Sequence, residues 1–323
     1  MNKKILVLIL LIVIAAGVGV GIYFGTKKEE PKQETSKQET KPEETPEEPK
    51  EEEVTYLEYP ELSDTERQVL ERYSNNNDYK VIPIGGDMFD GYIIAIYEPE
   101  RVHVAVTSQL GVDGEYVTKM VADNNGIVGI NGGGFQDADF QGDGEYPDGI
   151  TIAKNKMVIA DNLNNPRGGV VGFDANNRLI LADLDENEVV GAGIRDCVSF
   201  APYLIVDGEP QTMTGGGAFG PSGRSARSAI AQREDGLVLF LCVDGDRTKG
   251  EGATLPEIID ILLAYGAVQA SDLDGGTSCQ LVVGSQLIND PTSLNGEHRS
   301  RPVSSAFILE ADGSNNGDLS GVR

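Results

Sequence analysis

Residues 237–278 read LVLFLCVDGDRTKGEGATLPEIIDILLAYGAVQASDLDGGTS, and this stretch decides the fold. Residues 237–243 form a nearly continuous apolar run, which is typical of a strand buried on both faces. Residues 254–257, Thr-Leu-Pro-Glu, predict a capping box that opens a helix, and Gly266 predicts its end. Residues 267–273 predict a second strand. The order strand, helix, strand indicates a right-handed parallel crossover.

An aspartate followed by glycine ends each of these two strands: Asp244 the first and Asp274 the second. Parallel strands end at the same edge of a sheet, and sites tend to lie at that edge in open α/β sheets. The strand ends would lie about 5 Å apart, or about 10 Å apart with one strand between them. We therefore expect the two carboxylates to face one pocket.

The flanking sequence is predicted to be mostly short strands. These are expected at 101–107, 127–130, 150–160, 168–173, 178–182 and 227–232, the last forming a hairpin with 237–243 around Glu234-Asp235-Gly236, and a short helix is expected at 114–122. The predicted fold class is α+β (mixed α/β): a mixed, curved β-sheet with a parallel βαβ unit and flanking helices. After the strand at 127–130 comes Asn131-Gly132-Gly133-Gly134-Phe135, whose glycines mark a close backbone approach.

Several short motifs follow one another along the chain: Asn131-Gly132-Gly133, Pro147-Asp148-Gly149-Ile150, Arg227-Ser228-Ala229, Val243-Asp244-Gly245, Gly252 to Glu257, Leu273 to Ser278, Asn289 before Pro291, and Arg301-Pro302-Val303. As an ordered set they resemble the phosphodiester glycosidase family. They extend over about 127–309. The chain departs from the family where Gly134 replaces an aromatic residue, where Asp246 intervenes before Arg247, and where Asp272 and Ser305 replace asparagine.

The resemblance implies a hydrolase that cleaves a sugar from a phosphodiester, which needs a carboxylate and a positive group for the phosphate. Asp244 and Asp274 are the candidate catalytic acid and base, each of which could instead cap a turn. Arg227 is the candidate phosphate ligand, since a guanidinium can donate to two oxygens, with a structural ion pair as the alternative.

The remaining candidates are substrate-binding groups. The backbone amides of Gly132, Gly133, Gly275 and Gly276 could hold anionic oxygens, or the glycines could serve tight turns alone. Asn131 could bind a sugar hydroxyl or form an Asx turn. Ser278 is a weaker ligand candidate. The expected partner is a glycan or sugar-phosphodiester in the cell envelope or in extracellular polysaccharide, and the alternative function is a non-catalytic module that binds envelope glycans.

The residues 137–148 partly match a calcium-binding loop. Asp137, Asp139, Gln141, Gly142 and Asp148 have roughly the spacing of ligands 1, 3, 5 and 12 with glycine at position 6. Calcium is therefore a possible cofactor, although Gln141 is a weak ligand and an acidic surface loop is the simpler interpretation. No nucleotide cofactor is expected.

Charge, cysteine and histidine narrow the functional classes. The formal net charge of −26 argues against a nucleic-acid partner, because phosphate neutralisation needs a basic patch. Cys197, Cys242 and Cys279 have no metal-binding spacing, and one disulfide or three buried thiols are both compatible with them. The two histidines, His103 and His298, lack a catalytic motif, and His103 is expected to be structural.

The N-terminal region predicts a membrane anchor. Lys3 and Lys4 precede an uncharged apolar run from Ile5 to about Phe24, long enough to span a bilayer. The predicted domains are a transmembrane signal-anchor at 1–25, a disordered acidic linker at 26–53, the glycosidase-like domain at 54–312 and a C-terminal tail at 313–323. The linker lacks large apolar residues and cannot offset its ordering entropy. The expected location is the cell membrane, crossed once, with the C-terminal domain extracellular.

Overall fold

The structure, a computed structural model, describes residues 78–136, 142–160, 169–215, 220–313, 317–319 and 321–322. The predicted anchor at 1–25 and the predicted linker at 26–53 lie outside these residues. Within the described part of the chain, no helix has both the length and the apolar character needed to cross a membrane.

The described residues form mostly strands, with three short α-helices. The strands are β1 (Tyr79–Gly86), β2 (Phe89–Ile96), β3 (Val102–Val106), β4 (Gly126–Asn131), β5 (Ile150–Ala153), β6 (Lys156–Ala160), β7 (Val170–Asp174), β8 (Leu179–Ala182), β9 (Ile194–Ser199), β10 (Tyr203–Val206), β11 (Glu209–Pro210), β12 (Arg227–Arg233), β13 (Val238–Val243), β14 (Ala267–Leu273), β15 (Leu281–Val283), β16 (Gln286–Leu287), β17 (Ser305–Glu310) and β18 (Gly317–Asp318). The helices are α1 (Val117–Asp123), α2 (Glu186–Gly191) and α3 (Leu255–Ala264), and 3₁₀ turns span Pro99–Arg101 and Gly276–Ser278.

The strands make three sheets. The large sheet has the order β11-β10-β14-β12-β13-β2-β1-β18, the second has β16-β15-β4-β17-β3, and the third has β6-β5-β9-β7-β8. Neighbouring strands are antiparallel except for the pair β1 and β18. The predicted α+β class fits this architecture, but the sheets are mostly antiparallel rather than mixed.

The expected crossover from β13 through α3 to β14 is present in a modified form. Both strands pair antiparallel with β12, so they run parallel to each other, with β12 between them. Of the two spacings considered from the sequence, the wider one applies, about 10 Å between strand ends. The reason is the hairpin of β12 and β13, which occupies the neighbouring position before the chain returns through α3.

Both faces of the large sheet are buried, as the apolar run at 237–243 predicts. Phe240 and Ile94 pack in a core shared with the other two sheets, whereas Leu239 and Leu241 pack on the opposite face with Ile258 of α3. Side chains alternate between the faces of a strand, so neighbouring residues enter different cores. Each such fully buried Ile or Leu contributes roughly 1.5–3 kcal/mol through removal of apolar surface from water.

The helix α3 begins as its sequence predicts. Thr254 accepts a hydrogen bond from the Glu257 amide, and the Glu257 carboxylate accepts one from the Thr254 amide at 2.8 Å. Glu257 also pairs with Arg224. This carboxylate therefore caps the helix. The segment 150–160 is a hairpin, because Lys154 and Asn155 adopt left-handed conformations at its turn.

A buried polar cluster joins the second and third sheets. His103 Nδ1 lies 3.0 Å from Asp196 Oδ2, and Asp196 also accepts from the Val104 amide and from Arg195. His103 is therefore structural, as expected. The three cysteines are buried free thiols.

Candidate functional site

A cavity of about 550 Å³ opens beside the C-terminal end of β14. Its charged lining consists of Arg227, Arg247, Arg299, Arg301, Asp272 and Asp274, and we call it the arginine cavity. Four guanidinium groups and two carboxyl groups give this lining a net positive charge, although the whole chain carries a formal charge of −26. A positive cavity in an acidic protein concentrates anionic ligands at that place.

Asp274 is held in the arginine cavity by Arg301. Arg301 Nη2 lies 3.2 Å from Asp274 Oδ2, and Arg301 Nε donates to Ser278 Oγ at 2.7 Å. The Arg301 guanidinium also lies 4.6 Å from the centre of the Phe135 ring. These contacts hold the guanidinium in one orientation, and an ion pair favours the charged form of the carboxyl group that it contacts. Ser278 is fully buried and acts through Arg301.

Arg227 is anchored by backbone carbonyls. Its Nη2 donates to Gly223 O at 2.9 Å and to Gly220 O at 3.2 Å, and its Nε donates to Ala253 O. Only 6 % of the residue is exposed, and Nη1 lies 3.9 Å from Asp272 Oδ2. The side chain that was predicted to bind phosphate therefore lines the cavity and is rigidly held.

Arg247 adds a second guanidinium near Arg227. Its Nε donates to Ser225 Oγ at 3.0 Å. Burial lowers the pKa of Arg247, and the neighbouring charge of Arg227 lowers it further. Like charges repel each other, so an anion between the buried Arg227 and the partly buried Arg247 would be stabilised. Arg247 was not among the residues singled out from the sequence.

The Asn131-Gly132-Gly133 block supports the cavity without lining it. Asn131 is fully buried, donates to Asp274 O at 2.7 Å and accepts from Ser228 Oγ and from the Gln280 amide. The Gly132 carbonyl accepts from the Asp274 amide. A Cβ on Gly133 would lie 2.4 Å from Ser199 O. The expectation that Asn131 faces the pocket is wrong, because its Nδ2 bonds to the loop that carries Asp274 and its Oδ1 bonds to Ser228 and Gln280.

The glycines after Asp274 do line the cavity. Gly275 and Gly276 both face it, and Gly276 has φ +62°, a conformation that favours glycine. The Gly276 amide donates to Ala226 O at 3.0 Å, so this amide is committed to the fold. The Ser278 amide donates to the Gly275 carbonyl. The glycine turn thus brings backbone close to the space where a ligand would lie.

Asp244 lies in a different cavity from Asp274, and the expectation of one shared pocket is wrong. The second cavity, of about 510 Å³, is lined by Asp87, Asp90, Asp244, Asp246, Glu251 and Asp290 together with Lys249 and His298, and we call it the acidic cavity. Asp244 Oδ1 accepts from Asn289 Nδ2 at 3.1 Å and from the Asp290 amide at 2.9 Å. These bonds direct the carboxyl group towards the loop after β16. Burial raises its pKa, and the bond from Asn289 opposes the rise.

Asp272, overlooked in the site assignment, is the second carboxyl group of the arginine cavity. It lies two residues before Asp274, so strand alternation places both side chains on one face. Burial raises the pKa of Asp272 to about 7, Arg227 lowers it and Asp274 raises it. The spacing of two between Asp272 and Asp274 on a predicted strand could have indicated that both side chains lie on one face. Arg247, Arg299 and Arg301 come from separate loops, and no spacing in the sequence brings them together.

Possible cation sites are limited among the described residues. Asp137, Asp139 and Gln141 of the proposed calcium loop lie outside them, while the Asp148 amide donates to Gly134 O. The three carboxyl groups that approach closely enough to share a metal ion belong to Asp78, Glu98 and Asp312. Arg101 contacts these carboxyl groups at 3.4, 2.6 and 3.3 Å, so its single positive charge already occupies the place where a cation would bind.

Sequence comparison identifies the family. A model of the family described as phosphodiester glycosidase matches residues 124–310, more than half of the chain. A curated relative, the SPbeta prophage-derived uncharacterized protein YomE of Bacillus subtilis (strain 168), is 30 % identical over 108 residues. That match covers 33 % of this chain and 17 % of the relative's length.

A solved structure shares the fold. The catalytic domain of zebrafish N-acetylglucosamine-1-phosphodiester alpha-N-acetylglucosaminidase, auto-inhibited by its pro-peptide, is similar with a TM-score of 0.58 and 19 % identity. The similarity covers 74 % of this chain and 86 % of that one. A hypothetical protein from Synechocystis matches with a TM-score of 0.49 and 18 % identity over 71 % of this chain and 61 % of its own. By the match to residues 124–310, this chain belongs to the phosphodiester glycosidase family.

Proposed function

We propose that this chain is a glycoside hydrolase that releases a sugar from a glycosyl phosphodiester in the cell envelope or in extracellular polysaccharide. The observation that carries the proposal is the arginine cavity, where Asp274 lines the same space as the buried Arg227 and the partly buried Arg247. Membership of the phosphodiester glycosidase family supports the reaction class.

The phosphate would lie against Arg227 and Arg247. Their guanidinium groups present charge-assisted donors. Burial and then the charge of Arg227 lower the pKa of Arg247, and a bound anion would offset both effects. Arg227 cannot swing away, because three backbone carbonyls hold it. A preorganised positive site of this kind stabilises negative charge that grows on a leaving phosphate.

Asp274 would act at the anomeric carbon. In the proposed hydrolysis the bond between this carbon and the phosphate oxygen breaks, a water oxygen takes its place, and a sugar and a phosphomonoester are released. The transition state carries positive charge on the sugar, which a carboxylate stabilises. Arg301, at 3.2 Å from Asp274 Oδ2, positions that carboxylate.

The alternative is a non-catalytic module that binds envelope glycans through the same cavity. One observation favours it: Asp244, the other carboxylate expected to take part, lies in the acidic cavity. Hydrolysis separates the two functions, because a binding module retains the sugar-phosphodiester intact.

We propose an extracytoplasmic location with the chain held at the cell membrane by the apolar run from Ile5 to about Phe24. An exported envelope enzyme would meet glycosyl phosphodiesters at that surface. Membrane fractionation of the full-length chain, with and without residues 1–25, tests this. Recovery of both forms in the soluble fraction would contradict it.

Calcium remains a proposal for the segment that holds Asp137, Asp139 and Asp148. A carboxylate-rich loop of this spacing prefers calcium as a hard cation. Treatment with a chelator, followed by measurement of thermal unfolding with and without added calcium, tests the proposal. A melting temperature that responds to neither step would exclude it.

The test of the proposed function is a panel of sugar-1-phosphodiesters incubated with the full-length chain. Free sugar and phosphomonoester are measured together, and their equal release is expected. Arg247→Gln should raise KM, since one of the two phosphate donors is lost. Arg178→Gln is the matched control, because Arg178 is exposed and lies outside the arginine cavity.

Binding without turnover across the whole panel would support the glycan-binding alternative. Turnover with an unchanged KM in Arg247→Gln would remove Arg247 from the phosphate site. Circular dichroism and thermal unfolding establish that the Arg247→Gln variant is folded.

A further inference from the structure

Asp272 is a buried carboxyl group on the wall of the arginine cavity. It is 4 % exposed and lies one residue before the end of β14. Its strand neighbour Leu273 points into the apolar core, whereas Asp272 lines the cavity with Asp274. The carboxyl group is therefore shielded from bulk water and also next to the space that a ligand would fill.

The polar environment of Asp272 is incomplete. Its Oδ2 lies 3.9 Å from Arg227 Nη1, beyond a good hydrogen bond, and its Oδ1 is buried with no hydrogen-bond partner among the described residues. A buried charge with so few partners is costly, so the neutral acid is favoured. Burial accordingly raises the pKa of this carboxyl group to about 7.

We propose that Asp272, in its protonated form, donates a hydrogen bond to the phosphate oxygen held by Arg227, so that the arginine cavity accepts a phosphodiester at mildly acidic pH and rejects it at alkaline pH. This inference rests on the proposed function, because it assigns a specificity role within the same site. A protonated carboxyl group can donate, whereas an ionised one only accepts and would repel the anionic substrate.

The charged groups that act on Asp272 come from two strands. Arg227 on β12 lowers its pKa and Asp274 after β14 raises it. The neighbouring strand β10 carries Tyr203, which pairs with Ser271, donates its hydroxyl to Val170 O and does not line the cavity.

The rest of the charged lining consists of Arg247, Arg299 and Arg301. Arginine side chains stay protonated throughout the range from pH 6 to 8.5. No histidine is among the described residues that line this cavity. Asp272, whose pKa burial raises to about 7, changes its charge in that range.

The experiment compares kcat/KM for a sugar-1-phosphodiester at pH 6 and pH 8.5, using the full-length chain. With a pKa of about 7, the protonated fraction of Asp272 falls by about thirtyfold between these values, and kcat/KM should fall with it. Asp272→Asn should reduce this ratio to less than about threefold, since an amide donates at every pH. Asp272→Ser, a second permanent donor, should behave in the same way.

The matched control is Asp260→Asn, which also exchanges a carboxyl group for an amide. Asp260 is exposed on α3 and does not line the cavity. This variant should keep the activity and the pH ratio of the unaltered chain. Binding of the diester to each protein, measured by calorimetry at the same two pH values, provides a readout that does not depend on turnover.

The outcomes separate this inference from the proposed function. Binding that falls with pH in the unaltered chain and loses that dependence in Asp272→Asn supports the inference, even if no diester is hydrolysed. If the folded Asn and Ser variants keep the full pH ratio, Asp272 is not the titrating donor and the inference is overturned. It is equally overturned if both variants bind the diester at both pH values yet hydrolyse none, because Asp272 would then transfer a proton in the chemical step.

Discussion

Replacing Asp272 with asparagine should stabilise the folded chain at alkaline pH and leave its stability nearly unchanged near pH 4. The folded state keeps a proton on Asp272 up to a pKa of about 7, while the unfolded state releases it near the ordinary value of 3.8. The folded state therefore binds more protons between these values, and the free energy of unfolding falls as pH rises through that window. An amide has no proton to lose, so the variant escapes this fall.

The expected change in the free energy of unfolding follows from the raised pKa of Asp272. A rise from 3.8 to about 7 corresponds to about 4 kcal/mol at full ionisation, an upper limit because buried charges are relieved by local relaxation and entering water. We expect a gain of about 2–4 kcal/mol at pH 8.5 for Asp272→Asn. The amide keeps the shape of the carboxyl group, so the packing around Leu273 should not change.

The assay is urea unfolding at half-unit intervals from pH 4 to pH 8.5, followed by circular dichroism. The quantity compared is the free energy of unfolding of Asp272→Asn minus that of the unaltered chain. Glu234→Gln serves as the control, since its carboxyl group is exposed in the turn between β12 and β13. A difference that stays constant across the pH range would refute the reasoning, because it would show that Asp272 ionises alike in both states.

Three further outcomes follow from the contacts around the site. Arg301→Gln should lower kcat by about tenfold or more with a smaller change in KM, because Asp274 loses the partner at 3.2 Å that positions it. Steady-state kinetics measure both constants, and a change in KM alone would contradict this prediction. Asn131→Ala should lower the free energy of unfolding by about 2–4 kcal/mol, since it leaves three buried hydrogen-bonding groups without their partner. Urea unfolding measures this, and an unchanged free energy of unfolding would contradict it. The effect of Asp246→Asn on the free energy of unfolding should depend on pH in the opposite way to that of Asp272→Asn. The reason is that hydrogen bonds from Thr248 and the charge of Lys249 lower the pKa of Asp246 to about 2. Its stabilising contribution is present above pH 4 and is lost as pH falls towards 2, which acid titration of unfolding can check.

Local rules predicted the elements that surround the site. The apolar run at 237–243, the capping box at Thr254 and the hairpin turn at Glu234-Asp235-Gly236 all act over a few residues, and β13, α3 and the hairpin are present. The pairing order is different, because it depends on where α3 returns the chain. The sequence of residues 237–278 does not decide whether β14 pairs with β13 or with the free edge of β12. In the structure β14 pairs with β12.

The difference between local and long-range interactions also explains which site residues could be predicted from the sequence. Arg227 and Asp274 could be singled out from motifs, and they share a cavity. Asp244 could not be placed, because bonds from Asn289 and Asp290, 45 or more residues away in sequence, direct its carboxyl group. The other arginines come from separate loops, and only the tertiary structure brings them together.

In the proposed function, the arginine cavity cleaves the bond between a sugar and a phosphate, with Asp274 at the sugar. Hydrolysis of a sugar-1-phosphodiester in ¹⁸O-labelled water, followed by mass spectrometry of both products, tests it most directly. Label in the released sugar and none in the phosphomonoester is expected, and Asp274→Asn should lower the rate by a factor on the order of 100 or more. Label in the phosphomonoester, or an unchanged rate in Asp274→Asn, would contradict the account.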